Sequence, residues 1–309
     1  MIKYLIRIGN DRCIFILIQI ASFFHLKKVL GAIFDNTLSM VAEKKYRGID
    51  EFVFRVENIQ VIFAIDDLYS KKWFYLGYRD GKVYERSATK LLINNLKKGM
   101  CFIDVGAHIG DYSIIASKVV GDQGRVYAFE IDEFNYSLLD KNVKINKINN
   151  VETHHMGISD KKGKIKYIRV SASGNPLNHL VFNNEKLKDK DVVSVDCISL
   201  DEFCSKENIK PDVIKIDVEG AELKVINGME KLLRNPNVKI FCEIHPYQLT
   251  CFGNTVNQIL DKLTALGLDI FKIQNIGANG PEIKLRPLGK GISDLSNNTI
   301  IYAYHNNNN

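Results

Sequence analysis

The chain has 309 residues, 46% of them apolar and 25% charged, and 42 basic against 36 acidic side chains leave a formal charge of +6. This composition excludes disordered, collagen-like and disulfide-scaffold proteins, and so mild a charge gives no electrostatic footprint for a nucleic acid, which is not expected as a partner. Six cysteines without a C-x-x-C pair fit a reducing compartment, so a cytoplasmic protein is expected, and no closely spaced ligand set marks a structural zinc.

Residues 14–24 form an apolar run with Arg7 and Arg12 before it and Lys27 and Lys28 after it. The run is shorter than the ~20 residues of a spanning helix, and no small-residue cleavage site follows it. A helix packed on the rest of the protein is the first reading. The alternative is peripheral contact with the inner face of a membrane, the basic flanks meeting anionic headgroups. Segments 52–56, 60–65 and 73–76, rich in β-branched and aromatic residues, read as three strands of a small lead-in sheet. Residues 1–83 are therefore expected to be an N-terminal extension and 84–309 the main domain.

From Lys98 onward, short apolar strands alternate with helical patterns, the signature of βαβ units and a mostly parallel sheet. Strands are expected over 102–105, 125–129, 151–155, 212–217, 238–243, 269–273 and 299–304, and helices over 111–120, 133–146, 221–234 and 255–266. Segments 164–170 and 192–195 read as an inserted hairpin or flap.

The run Asp104-Val105-Gly106-Ala107-His108-Ile109-Gly110 carries a strand into a glycine turn and a helix start. Glycine lets a ligand approach the main chain, and the helix start offers unpaired N–H groups. Glu130 follows the last glycine by 20 positions at the end of the next strand, where a carboxylate can bridge ribose hydroxyls. The turn lacks the G-x-G-x-x-G that a dinucleotide pyrophosphate needs. Asp104 would repel phosphate and attract the cationic S-adenosyl-L-methionine. Histidine is among the non-glycine residues enriched at positive φ, so His108 is expected to hold a left-handed turn position; the alternative is a catalytic base.

The second motif, residues 212–222, ends a strand and opens a helix. Alternation puts Lys215, Asp217 and Glu219 on one side and Ile214, Ile216 and Val218 on the other. Three charges on one face would be costly in a core, so they should line a cleft.

These segments, with the later Ala128-Phe129-Glu130 and Glu243-Ile244-His245, resemble the FkbM-type S-adenosylmethionine-dependent methyltransferases over roughly residues 84–273. The resemblance implies an α/β, Rossmann-like class I methyltransferase fold with a mostly parallel seven-stranded sheet flanked by helices. It also implies O-methylation of a sugar, glycan or natural-product hydroxyl. His108 departs from the asparagine usual in that loop. Asp104, Gly106, Ala107, His108, Gly110 and Glu130 are the expected donor-binding residues, with Ser159 and Asp160 beside adenine.

The candidate base for a hydroxyl acceptor lies at two neighbouring strand ends: His245 first, Asp217 second, then Glu219 and Glu243. A divalent metal is not expected, although Asp217, Glu243 and His245 carry suitable ligand atoms. Lys215 is read as a salt bridge holding the carboxylates, and Glu222 as an electrostatic helix cap. Tyr84 and Glu85 are placed over the donor by the resemblance alone. The rival readings are a non-catalytic nucleoside-binding module docked on a membrane or partner, and a nicotinamide or nucleotide-sugar enzyme. Acceptor identity and oligomeric state are not legible.

Overall fold

The computed structural model describes residues 27–78, 83–168, 179–180, 192–274, 283–288, 295 and 297–306. The apolar run at 14–24 lies outside them, as does most of segments 171–190 and 276–297. Among the described residues no helix is long and apolar enough to cross a membrane.

The described residues open with helix α1 (Lys27–Lys45), hairpin β1 (Glu51–Val56) and β2 (Ile59–Ala64), α2 (Leu68–Gly77) and α3 (Arg86–Asn95). Then come β3 (Cys101–Val105), α4 (Asp111–Val120), β4 (Arg125–Glu130), α5 (Glu133–Ile145) and β5 (Val151–His155). The insertion contributes β6 (Gly157–Ile158), β7 (Gly163–Ile168), β8 (His179–Leu180) and β9 (Val192–Ile198). Helix α6 (Leu200–Lys206), β10 (Val213–Ile216), α7 (Glu222–Asn227), α8 (Glu230–Leu233) and β11 (Lys239–Ile244) follow. The chain ends with α9 (Pro246–Cys251), α10 (Val256–Ala265), β12 (Asp269–Gln274), β13 (Lys284–Pro287) and β14 (Thr299–Tyr304).

The main sheet has the order β13-β12-β14-β11-β10-β3-β4-β5. Strands β5, β4, β3, β10 and β11 pair in parallel, and β14 inserts antiparallel between β11 and β12. All seven expected strands are present. Among the described residues the sheet nevertheless has eight, because Lys284–Pro287 adds antiparallel to the outer edge of β12 and satisfies backbone groups that an open edge would leave bare. The expected flap exists as β7 paired antiparallel with β9.

One expected strand is instead a helix. Segment 73–76 lies inside α2, started by Asp67, whose carboxylate accepts from the Ser70 N–H at 2.8 Å. Phe74 and Tyr78, one turn apart, fill a cluster with Phe54 and Phe63. The same cluster contains Ile109, Ile114 and Leu139, so the N-terminal hairpin shares its core with the glycine loop and α5. Asn142 stitches the joint, accepting from Ala64 N–H at 2.8 Å and donating to the Ile109 carbonyl at 2.9 Å. The single helix expected over 221–234 is broken at Gly228, where a Cβ would lie 2.0 Å from the Ser159 carbonyl oxygen.

Candidate active site

The topology reverses between β3, whose chain continues through α4 to β4, and β10, which runs on to β11. Ligands of open α/β sheets gather at the carboxyl ends of strands at such a point. A pocket of about 330 Å³ opens there, lined at one end by Gly106, Ala107, His108 and Glu130 and at the other by Lys215, Asp217, Glu219, Glu243 and His245. Two positive-φ glycines shape the loop that bounds it. Gly106 (φ +80°) lies so close to β10 that a Cβ would fall 1.8 Å from the Asp217 carbonyl oxygen. Gly110 (φ +97°) starts α4 and packs on Leu139 and Ile114; it does not line the pocket.

His108 adopts φ +53°, the left-handed conformation expected of it. Its backbone N–H donates to Glu130 Oε2 at 2.8 Å, and Asp132 N–H donates to Oε1 at 2.8 Å. Burial nevertheless pushes the Glu130 carboxyl up to about 7. The His108 ring is hydrogen-bonded to the Tyr69 hydroxyl and packed on Trp73, and burial lowers it to about 4, so it is a neutral imidazole near pH 7.

Asp104 does not reach the pocket. It is fully buried beneath the loop, accepts from Ser113 Oγ at 2.6 Å and lies 3.6 Å from Lys215 Nζ, its register neighbour on β10. Its charge therefore acts on a ligand only through the strand end. Ser159 and Asp160 are likewise outside the lining, Ser159 donating to Asp160 at 3.0 Å; Met156, Gly157 and Ile158 occupy that wall instead.

At the opposite end, alternation along β10 sends Ile214 and Ile216 into the core and Lys215 to the other face. Burial alone would lower the Lys215 ammonium, but Asp217 at 3.4 Å and Asp104 hold it above its ordinary value. Beyond the strand, Glu219 (φ +49°) and Gly220 (φ +103°) fold the chain sharply back, and a Cβ at Gly220 would meet Gln248 at 2.7 Å. That turn sets the fully buried Glu222 beneath His245, whose Nδ1 lies 2.6 Å from Glu222 Oε1. The ring's other nitrogen, Nε2, faces Glu219 at 3.5 Å, Glu243 at 3.7 Å and Asp217 at 3.8 Å. Burial disfavours the imidazolium, yet Glu222 and the surrounding carboxylates raise it to about 9. Glu219 is raised by burial.

Further carboxylates line the same end of the pocket. Glu85 and Glu243 are both raised by burial and by nearby Asp217, with one carboxyl hydrogen-bonded to the other, and Tyr112 donates to Glu85 at 2.8 Å. Asp111 accepts from the Tyr78 hydroxyl and from Trp73 Nε1 and is pushed by burial to about 6. Glu222 was visible in sequence, but its histidine partner lies 23 residues on and only sheet order joins them.

Residues 104–270, just over half of the chain, match the family model described as the Methyltransferase FkbM domain, and the chain belongs to that family of methyltransferases. It is 26% identical over 193 residues to the hexuronic acid methyltransferase AglP of Haloferax volcanii, covering 62% of this chain and 70% of that protein. Two solved structures are similar. The S-adenosylmethionine-dependent O-methyltransferase of Thermotoga maritima has a TM-score of 0.43 at 16% identity, covering 82% of this chain and 77% of that one. The FkbM methyltransferase of Methylobacillus flagellatus has a TM-score of 0.42 at 14% identity, covering 87% and 60%.

Proposed function

We propose that this FkbM-family methyltransferase uses S-adenosylmethionine to methylate a hydroxyl of a sugar or glycan acceptor. The observation that carries the reading is the shared pocket, in which a nucleoside-type cradle at the glycine loop adjoins a carboxylate and imidazole cluster at the ends of β10 and β11. Similarity to a hexuronic acid methyltransferase supports a sugar as the acceptor.

The residues present fit the donor. Each Glu130 oxygen accepts one backbone N–H, which leaves acceptor capacity on both for ribose hydroxyls. Met156, Ile158 and Ile165 supply apolar wall for the adenine, and Asp217 presents negative charge at the other end. When bound, the donor supplies an electrophilic methyl group on a positively charged sulfur.

This chain's residues then orient the acceptor, exclude water and take its proton. His245 holds its own proton below about pH 9, which reverses the order of candidate bases read from sequence. Glu219, raised by burial, lines the pocket 3.5 Å from His245 Nε2 and is placed to take the acceptor's proton. Positioning of oxygen against methyl supplies up to ~7–11 kcal/mol.

Calorimetry with S-adenosylhomocysteine tests the donor half: Glu130→Ala should cost ~1.5–3 kcal/mol of binding, the range for a hydrogen bond to a charged group. Tritiated methyl transfer to uronic-acid glycosides tests the acceptor half, with Glu219→Gln slow and donor affinity retained. A chain that binds NADH and not S-adenosylhomocysteine would overturn the reading.

A further inference from the structure

Carboxylates crowd the β10 and β11 end of the pocket. Glu85, Asp217, Glu219 and Glu243 line it, and Lys215 is the lysine facing them. Lys215 is itself engaged, lying between Asp104 and Asp217 and over the Tyr112 ring at 4.8 Å. Carboxylates gathered in a partly dry site repel one another unless a proton or a cation stands between them.

A second feature is independent of the carboxylates. The His245 side chain is 2% exposed, and its Nδ1 is committed to Glu222 at 2.6 Å. Glu222 is held in turn by the Gly220 N–H at 3.0 Å. A buried carboxylate on one ring nitrogen fixes the imidazole so that the other aims at a chosen point, the support that metal-ligating histidines nearly always have. Here Nε2 aims into the acidic cluster and makes no hydrogen bond among the described residues; its carboxylate neighbours stand 3.5–3.8 Å away.

We propose that Asp217, Glu243 and His245 bind one divalent cation of the Mg²⁺ or Mn²⁺ class, which holds the acceptor hydroxyl beside the methyl donor. Their ligand atoms all lie within 4.8 Å of one another. Adjacent ligands on a six-coordinate ion at ~2.0–2.1 Å are about 3 Å apart, so side-chain rotations of under about 1 Å bring Nε2 and the two carboxylate oxygens onto it. Two oxygens and one nitrogen leave positions open, which suits an ion that keeps water or substrate oxygen in its shell. A sugar hydroxyl in one of those positions becomes more acidic. Its proton passes to the Glu219 carboxylate, which faces the same point outside the ligand set. The site thus rests on, and adds to, the methyl-transfer reading.

Mn²⁺ alone, titrated into the full chain after EDTA treatment and followed by electron paramagnetic resonance, is the test. One saturable site per chain is expected. Asp217→Asn and Glu243→Gln should each weaken it by at least the ~10–100-fold that loss of a supporting residue costs, and Glu222→Gln by about that range. Asp66→Asn, on a surface ion pair with Lys141, should leave it unchanged. In the unmutated protein the His245 ring protons should broaden first among the seven histidines, a readout that needs no variant to fold. No saturable binding, broadening that spares His245, or full affinity in the Asp217→Asn/Glu243→Gln double variant would overturn the site. Donor binding measured in EDTA tests methyl transfer separately.

Discussion

Gly106→Ala should damage this protein out of proportion to one added methyl group, and Gly99→Ala supplies the comparison. Both glycines sit at positive φ, +80° and +85°, so each alanine meets the left-handed backbone penalty of ~1–2 kcal/mol. Around Gly99 a Cβ meets nothing within 4 Å, whereas at Gly106 it falls 1.8 Å from the Asp217 carbonyl oxygen and 2.9 Å from its carbon. Asp217 cannot simply retreat, because its own N–H donates to the Val105 carbonyl at 2.9 Å, tying the ends of β3 and β10 together. Separating the two by more than an ångström is an overpacking change of ~1–3 kcal/mol. The totals are therefore about 2–5 kcal/mol for Gly106→Ala and 1–2 kcal/mol for Gly99→Ala. Urea unfolding at neutral pH reads both, and calorimetry reads donor affinity, which only the Gly106 variant should lose. Equal destabilisation of the two variants within about 0.5 kcal/mol, the usual scatter between independent sites, would show that the loop and β10 are not in contact.

Burial raises Glu130 from 4.5 to about 7. Donor affinity should rise through about pH 7 as the carboxylate forms, and Glu130→Gln should flatten the profile in calorimetry; an unchanged pH dependence would remove Glu130 from the donor site. Because its folded value is raised, Glu130 favours the folded state below its unfolded value, and this contribution is lost as pH climbs from about 4.5 to about 7. The loss is at most about 3 kcal/mol, so Glu130→Gln should melt above the unmutated protein at pH 8. Lys215→Met leaves the Asp104 carboxylate buried without its cation and should cost ~3–5 kcal/mol in chemical denaturation; a loss below about 1 kcal/mol would mean that Asp104 is protonated in the folded chain. At His108 (φ +53°), asparagine tolerates the backbone and valine does not, so His108→Asn should keep donor affinity and His108→Val weaken it, with equal affinities refuting the strained-turn role.

What could be read from the chain was what strand period and glycine chemistry encode locally. Alternation along 212–218 placed Ile214 and Ile216 in the core and Lys215 on the opposite face, and the left-handed His108 followed from its residue type. Segment 73–76 reads as a strand because aromatic residues serve strand and helix alike; the deciding feature is the Asp67 cap and the pairing of Phe74 with Tyr78. The position of Asp104 just before the glycine loop points it, in sequence, toward a cationic donor. The register that sets it against Lys215 on a neighbouring strand depends on sheet order, which no local pattern reveals.

At Glu222 the same dependence on sheet order has more consequence. Read at helical spacing from Glu219, it looks like a cap on one exposed face. The left-handed pair Glu219 and Gly220 removes that helical turn, and the chain closes against α9 so tightly that Gln248 stands where a Gly220 side chain would be. A carboxylate that would have been solvated is thereby driven under the β11 end, where His245 is its hydrogen-bonding partner. Burying a carboxylate is tolerable only when it is paired and hydrogen-bonded, so Glu222 and His245 must be set together. With Nδ1 fixed, Nε2 has one direction left, toward Asp217, Glu219 and Glu243. The direction in which the site does chemistry is thus decided by a two-residue turn, and a substitution that relaxed φ at Gly220 would disorder it without touching any group that meets the substrate.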